Sequence, residues 1–241
     1  MNKEFAQEVN KRTVALIGEE SFGNLQNSHV VICGLGGVGS YVAEALARAG
    51  IGTLTLVDFD RISPSNINRQ IPALLDTVGE YKADCMAKRI QNINPDCQII
   101  IKKEFLAENN AEEIIGDCNY IVDAIDFIAG KVGLILYAHE NKIPVISCMG
   151  TGNKLCPELL EISDISKTIT CPLARSMRYE LKKHGITKGI KVVYSKERNK
   201  SKNQLKENNK IVPASISYLP GTAGLLLASV VIRDLAGYPV K

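Results

Sequence analysis

Between residues 29 and 148 the chain alternates two apolar patterns. Short unbroken runs, HVVIC at 29–33 and TLTLV at 53–57, stop at Gly34 and Asp58, as strands buried on both faces should. Between them Val38, Tyr41, Val42, Ala45, Leu46 and Ala49 recur at helical spacing, so one stripe of a helix can lie on a sheet, and Gly50 and Gly52 end it. A second such stripe starts at Lys82 with Ala83, Met86, Ala87, Ile90 and Ile93 and closes at Asn94-Pro95. Further strands are expected at Gln98 to Ile101, Tyr120 to Val122 and Pro144 to Cys148, separated by helices at Ala111 to Ile115 and Gly130 to Asn141. Strands alternating with helices imply parallel pairing through right-handed crossovers. The expected fold is therefore α/β, a doubly wound and mostly parallel sheet, with its ligand beyond the carboxyl ends of the strands where Gly34, Asp58 and Asp126 fall.

After Gly150 the pattern changes. Glu158 to Ile162 and Ile190 to Tyr194 read as strands and Pro172 to His184 as a cationic helix. Ser195 to Lys210, SKERNKSKNQLKENNK, lacks apolar periodicity and reads as a mobile loop. Pro220-Gly221 then leads into Thr222 to Leu235, apolar nearly all round, a core helix. Its longest apolar run, Leu225 to Ile232, is short of the roughly 20 residues that cross a bilayer, so no membrane span is expected. The organisation is one domain over 1–241, a nucleotide-binding half at 1–149 and a substrate-binding half at 150–241.

Composition adds bounds. The 241 residues bury an ample core, and a net charge of +3 neither demands nor excludes nucleic acid. Seven cysteines without a C-x-x-C pair, and a polar N-terminus without a secretion signal, fit reduced thiols in the cytosol. Five of them, Cys33, Cys85, Cys97, Cys118 and Cys148, read as small core residues, whereas Cys156 and Cys171 fall in loops. His29, His139 and His184 form no metal pattern.

The chemistry is in two linked motifs. Gly34-Leu35-Gly36-Gly37-Val38-Gly39 follows a strand and opens a helix, so its backbone amides can hold phosphate, and Asp58 can accept from a ribose hydroxyl. That much also permits a nicotinamide site. The next segment, Asp58-Phe59-Asp60 and then Ser65-Asn66-Ile67-Asn68-Arg69-Gln70, with Lys82 a dozen residues on, adds two cations that hydride transfer does not require. Attack by a carboxylate on the α-phosphorus of ATP does require them, because two anions must approach each other. Taken singly, Arg69 and Lys82 would read as solvated surface charges.

This arrangement resembles the adenylating family of ubiquitin-activating enzymes and the sulfur-carrier adenylyltransferases of thiamine and molybdopterin synthesis. The resemblance implies ATP and Mg2+ as cofactors. It implies that Asp58 holds the ribose within the Asp58-x-Asp60 pair, that Ser65-Asn66 and Arg69 form the phosphate arm, with Asn66 and Arg69 on the phosphates, and that Lys82 reaches them too. It also implies Asp126 as the metal carboxylate, and Arg12 as a residue that crosses a two-fold axis into the partner's site in a homodimer; alone, Arg12 reads as an exposed helix charge. Relatives mostly place asparagine after that aspartate, where this chain has Phe127.

Segments 149–155, 164–168, 171–175 and 192–195 further resemble one branch, the tRNA threonylcarbamoyladenosine dehydratases, which close the threonylcarbamoyl carboxylate to a cyclic ester with ATP. The lack of paired C-x-x-C motifs, the zinc site of many carrier-activating relatives, points the same way; no zinc is expected. tRNA would meet Arg175, Arg178 and Lys182 on one helix face and the six basic residues from Lys196 to Lys210, although a charge run can equally be a solvated face. The alternatives are activation of a sulfur-carrier or ubiquitin-like protein, which would add that carrier or a sulfur-transfer protein as partner, an NAD-dependent dehydrogenase, and a nucleotide-binding regulator without turnover.

Overall fold

The computed structural model describes residues 3–198, 205–207 and 210–238. Strands β1 (His29–Cys33), β2 (Thr53–Val57), β3 (Gln98–Lys102), β4 (Tyr120–Asp123), β5 (Val145–Cys148), β6 (Leu160–Asp164) and β7 (Lys191–Ser195) build one sheet in the order β3-β2-β1-β4-β5-β7-β6. The pairs are parallel except at the edge, where β6 runs antiparallel to β7 with Ile162 opposite Val193. β1 sits between β2 and β4, so the chain leaves it in opposite directions and opens a crevice at its carboxyl end.

Helices α3 (Gly39–Ala49), α4 (Lys82–Ile93) and α8 (Tyr218–Leu235) cover one face, and α5 (Ala111–Ile115), α6 (Ile128–Glu140) and α7 (Pro172–Lys183) the other. Alternate residues of β1 serve the two cores: Val30 and Ile32 pack into the α3/α4/α8 side, Val31 and Cys33 into the α5/α6/α7 side. That division is why Val30 to Cys33 are apolar without a break. Two helices precede the sheet, α1 (Lys3–Ile17) and α2 (Glu19–Gln26). Their polar sequences give no strong apolar stripe, and on α1 Val9 and Leu16 face solvent.

Three expectations are corrected. α8 begins at Tyr218, with Pro220 inside its first turn, where a missing N–H leaves no bond unmade. Its Gly224 lies so close to α3 that a Cβ would come within 2.4 Å of the Val38 carbonyl oxygen. The helix is long and apolar enough to cross a membrane by length and composition, yet half of it is buried inside the protein. Within Ser195 to Lys210, residues 199–204, 208 and 209, including Lys200 and Lys202, lie outside the described residues. The described remainder is not structureless: β8 (Leu205–Glu207) and β9 (Lys210–Val212) pair antiparallel, held by a backbone ladder that needs no apolar periodicity. Finally, Arg178 donates to the carbonyl and hydroxyl oxygens of Thr168, so it is occupied within its own chain and is a poorer candidate than exposed Arg175 or Lys182 for an external phosphate.

Candidate active site

The turn from β1 into α3 is tight because its ends touch. A Cβ on Gly34, at φ +89°, would stand 2.7 Å from the Ala124 carbonyl oxygen, and one on Gly39 only 1.7 Å from that of Gly34. Without side chains there, the loop packs on the end of β4 and presents its backbone to the crevice. Asp58, at the end of β2, braces it: one carboxylate oxygen accepts from Leu35 N at 2.6 Å and the other from Asp60 N at 2.8 Å. Burial pushes the Asp58 carboxyl up, against the pull of Lys82 and of those two amides.

Lys82, the first residue of α4, donates to Asp60 Oδ2 at 2.6 Å, and its own N–H bonds the Asp60 carbonyl at 3.0 Å. The arm from Ser65 to Arg69 starts with a single turn, Pro64–Asn66, in which Asn66 Oδ1 accepts from Ser63 N at 3.0 Å. The Ser63 and Ser65 hydroxyls are 3.0 Å apart. Arg69, which lines the crevice, is steadied through one Nη by Ser65 O and Asn68 Oδ1, both at 2.9 Å. Ser40 links arm to loop, donating to Gly36 O and accepting from Ile71 N.

These groups enclose a cavity of about 830 Å³. Gly34, Gly36, Gly37, Asp58, Asp60, Ser65, Asn66, Arg69, Lys82 and Asp126 all line it. Gly39 lies beneath the loop, and Arg12, exposed on α1, does not reach the cavity of its own chain. The far wall comes from the second half: Gly150 to Gly152, Leu173, and the strap Pro213-Ala214-Ser215. That strap is tied on both sides, by Asn68 Nδ2 to Ser215 O at 3.2 Å and by a reciprocal pair, Asn153 N to Ala214 O at 2.8 Å and Ala214 N to Asn153 Oδ1 at 2.9 Å.

Asp126 stands exposed at the rim. Phe127 after it stacks on Phe105 (centroids 4.7 Å apart, planes at 10°), and Phe105 meets Phe59 edge-on at 5.0 Å. Among the described residues no group of three or more His, Cys, Asp and Glu side chains could cage a metal. One rim carboxylate suits an ion that keeps its waters and takes its remaining ligands from phosphate, as Mg2+ does.

Two cysteines that read as core packing, Cys33 and Cys148, also line the cavity floor. Burial raises both thiols, Cys148 to about 12 and Cys33 well above its ordinary value, so neither is an activated nucleophile. Sequence reasoning missed Lys131, a fully buried lysine under that floor. Its signal was present: a single charge in the run Ile128 to Ala138, otherwise apolar apart from the Tyr137 hydroxyl.

The glycine loop, the Asp58 carboxylate, Arg69 and Lys82 converge on one crevice, and the chain belongs to the ThiF family, which it matches over residues 10–241. Within that family it is similar to the tRNA threonylcarbamoyladenosine dehydratase of Bacillus subtilis, 41% identical over 236 residues that cover 93% of each chain. The solved structure of the Escherichia coli tRNA N6-threonylcarbamoyladenosine dehydratase matches with a TM-score of 0.89 at 33% identity, over 98% of this chain and 97% of that one. A structure of the same enzyme in complex with ATP matches with a TM-score of 0.88 at 34% identity, over 96% and 95%.

Proposed function

We propose that this chain is an ATP-dependent tRNA threonylcarbamoyladenosine dehydratase. The observation that carries the reading is the shared cavity, in which the phosphate arm and Lys82 face a wall built by the second half of the chain, beside the full-length likeness to enzymes of that name. The amides after Gly34 and the side chains of Arg69 and Lys82 would take the triphosphate, Asp58 the ribose, and the Phe59–Phe105–Phe127 cluster would border the base. A Mg2+ ion held by Asp126 and the phosphates would neutralise charge on the leaving pyrophosphate.

The threonyl carboxylate then attacks the α-phosphorus, and pyrophosphate leaves. An internal nucleophile of the same side chain attacks the acyl carbon, AMP departs with one of the original carboxylate oxygens, and a proton is lost as the ring closes. Water is thus removed in two parts. Lys82 and Arg69 lower the barrier to the first step by meeting two anions with two fixed cations in a site sheltered from solvent.

The same reading makes the enzyme a homodimer in which Arg12 completes the partner's cavity, with the exposed Arg175 and Lys182 of α7 approaching tRNA phosphates. Seven cysteines without a C-x-x-C pair fit a reducing cytosol. Incubation with ATP, Mg2+ and tRNA bearing threonylcarbamoyladenosine should yield, by mass spectrometry of the nucleosides, a product lighter by one water. No such product, together with AMP release driven by a small carrier protein, would replace this reading with carrier activation.

A further inference from the structure

α6 opens Ile-Ala-Gly-Lys-Val-Gly-Leu-Ile-Leu, and Lys131 is its one charge before the last turn. The side chain is fully buried and does not line the cavity. Its ammonium donates to Cys148 O at 2.7 Å and Ile125 O at 3.0 Å and stands 2.9 Å from Asp123 Oδ2. Asp123, equally buried, also accepts from Ser147 Oγ at 2.5 Å and Ile125 N at 3.1 Å. Three chain segments meet at this one ion pair: the end of β4, the turn that carries Asp126, and the end of β5. Each of them borders the cavity, through Ala124, Ile125, Asp126, Cys148, Met149 and Gly150.

Stability does not require such a pair. Taking two charges out of water costs several kcal/mol each, and replacing a buried pair by apolar groups of similar volume is often neutral or stabilising. A methionine at 131 would match the apolar cluster around it, but it could not donate in three directions to a turn carbonyl, a strand-end carbonyl and a carboxylate. We propose that Lys131, with Asp123 and Ser147, is a positioning unit that sets the Asp126 turn against the end of β5. The proposal rests on reading Asp126 as the carboxylate that holds Mg2+ on the triphosphate. In-line attack depends on such spacing, since a misplacement of about 1 Å can lower the rate roughly 100-fold.

The test compares Lys131→Met, and Asp123→Asn with Lys131→Met, which removes both charges while keeping a carbonyl for Ile125 N. Melting temperature, calorimetric ATP affinity in EDTA and in Mg2+, and pyrophosphate–ATP exchange are measured. The double variant should melt within about 4 °C of wild type, roughly 1 kcal/mol for a chain of this size. Its ATP affinity in EDTA should stay unchanged, because the glycine loop is held by other contacts. The gain in affinity that Mg2+ brings should fall about tenfold, and the exchange kcat between about tenfold and 100-fold, the scale set by groups that orient a metal's ligands. A double variant with wild-type kcat and Mg2+ gain overturns the proposal. So does one that fails to fold, or that loses ATP affinity equally with and without Mg2+, since the pair would then serve the fold alone. Asp126→Asn is the separate control: if it keeps the full Mg2+ gain, the metal reading of Asp126 fails whatever Lys131 does.

Discussion

Lys82→Met removes the ammonium and keeps the apolar stem, so it isolates the charge. In the folded protein that ammonium is nearly buried, 8% exposed, against an Asp60 carboxylate that is 47% exposed, 2.6 Å away. Asp60 remains in reach of water once its partner is gone, and a pair open to solvent on one side contributes only about 0–1 kcal/mol to stability. The melting temperature should therefore move by no more than about 4 °C. Adenylation should suffer far more. A unit cation about 4 Å from a phosphate oxygen contributes about 4 kcal/mol at the effective dielectric of a partly sheltered site. Loss of one donor aimed at transition-state charge lowers rates by about 100-fold to 1,000-fold. Pyrophosphate–ATP exchange with modified tRNA present, measured beside a thermal melt, reads both quantities. A folded variant exchanging within threefold of wild type would refute the role assigned to Lys82.

Mixing an Arg12→Ala chain with a Lys82→Met chain should restore activity lost by each, because one composite site of the exchanged dimer then holds both cations; a mixture as inactive as its parents, with exchange demonstrated, would place Arg12 outside the partner's site. Replacing Arg175 and Lys182 by serine should raise the KM for tRNA and flatten its log–log salt dependence by roughly 0.7–0.9 for each phosphate no longer neutralised, leaving ATP affinity unchanged; an unaltered slope would remove α7 from the tRNA surface. Burial pushes the Asp164 carboxyl up, but donation from Ser166 and Gly189 outweighs it and holds the group below its ordinary value. The stability this contributes is present above about pH 4 and lost as pH falls through the lowered value. The stability gap between wild type and Asp164→Asn should therefore narrow on acidification, and an equal gap at pH 3 and pH 7 would contradict it.

The parts of the fold legible in advance were those where side-chain pattern and terminator agreed. β2 ends where Asp58 interrupts its apolar run, and α4 runs from Lys82 to Ile93, closed by Asn94-Pro95, as its stripe requires. The candidate site was legible as a spacing that one crevice can gather, and Gly34, Gly36, Gly37, Arg69 and Lys82 do line one cavity. What stayed hidden depends on backbone or on burial. The strap Pro213-Ala214-Ser215 is held through main-chain groups, by Asn68 and Asn153, and carries no side-chain pattern of its own. Lys131, on α6, has no partner within reach of helix spacing rules, since its carboxylate, Asp123, comes from the end of β4. Phe127, read only as a departure from the relatives, gains its meaning from Phe105 and Phe59, which arrive from the ends of β3 and β2.

Carboxylate adenylation is tested most directly by following an oxygen atom. tRNA carrying threonylcarbamoyladenosine with heavy oxygen in its carboxylate, turned over once with ATP and Mg2+, should yield AMP bearing one heavy oxygen and pyrophosphate bearing none. Unlabelled AMP, with the heavy oxygen released to water or retained in the nucleoside, would contradict attack of that carboxylate on the α-phosphorus.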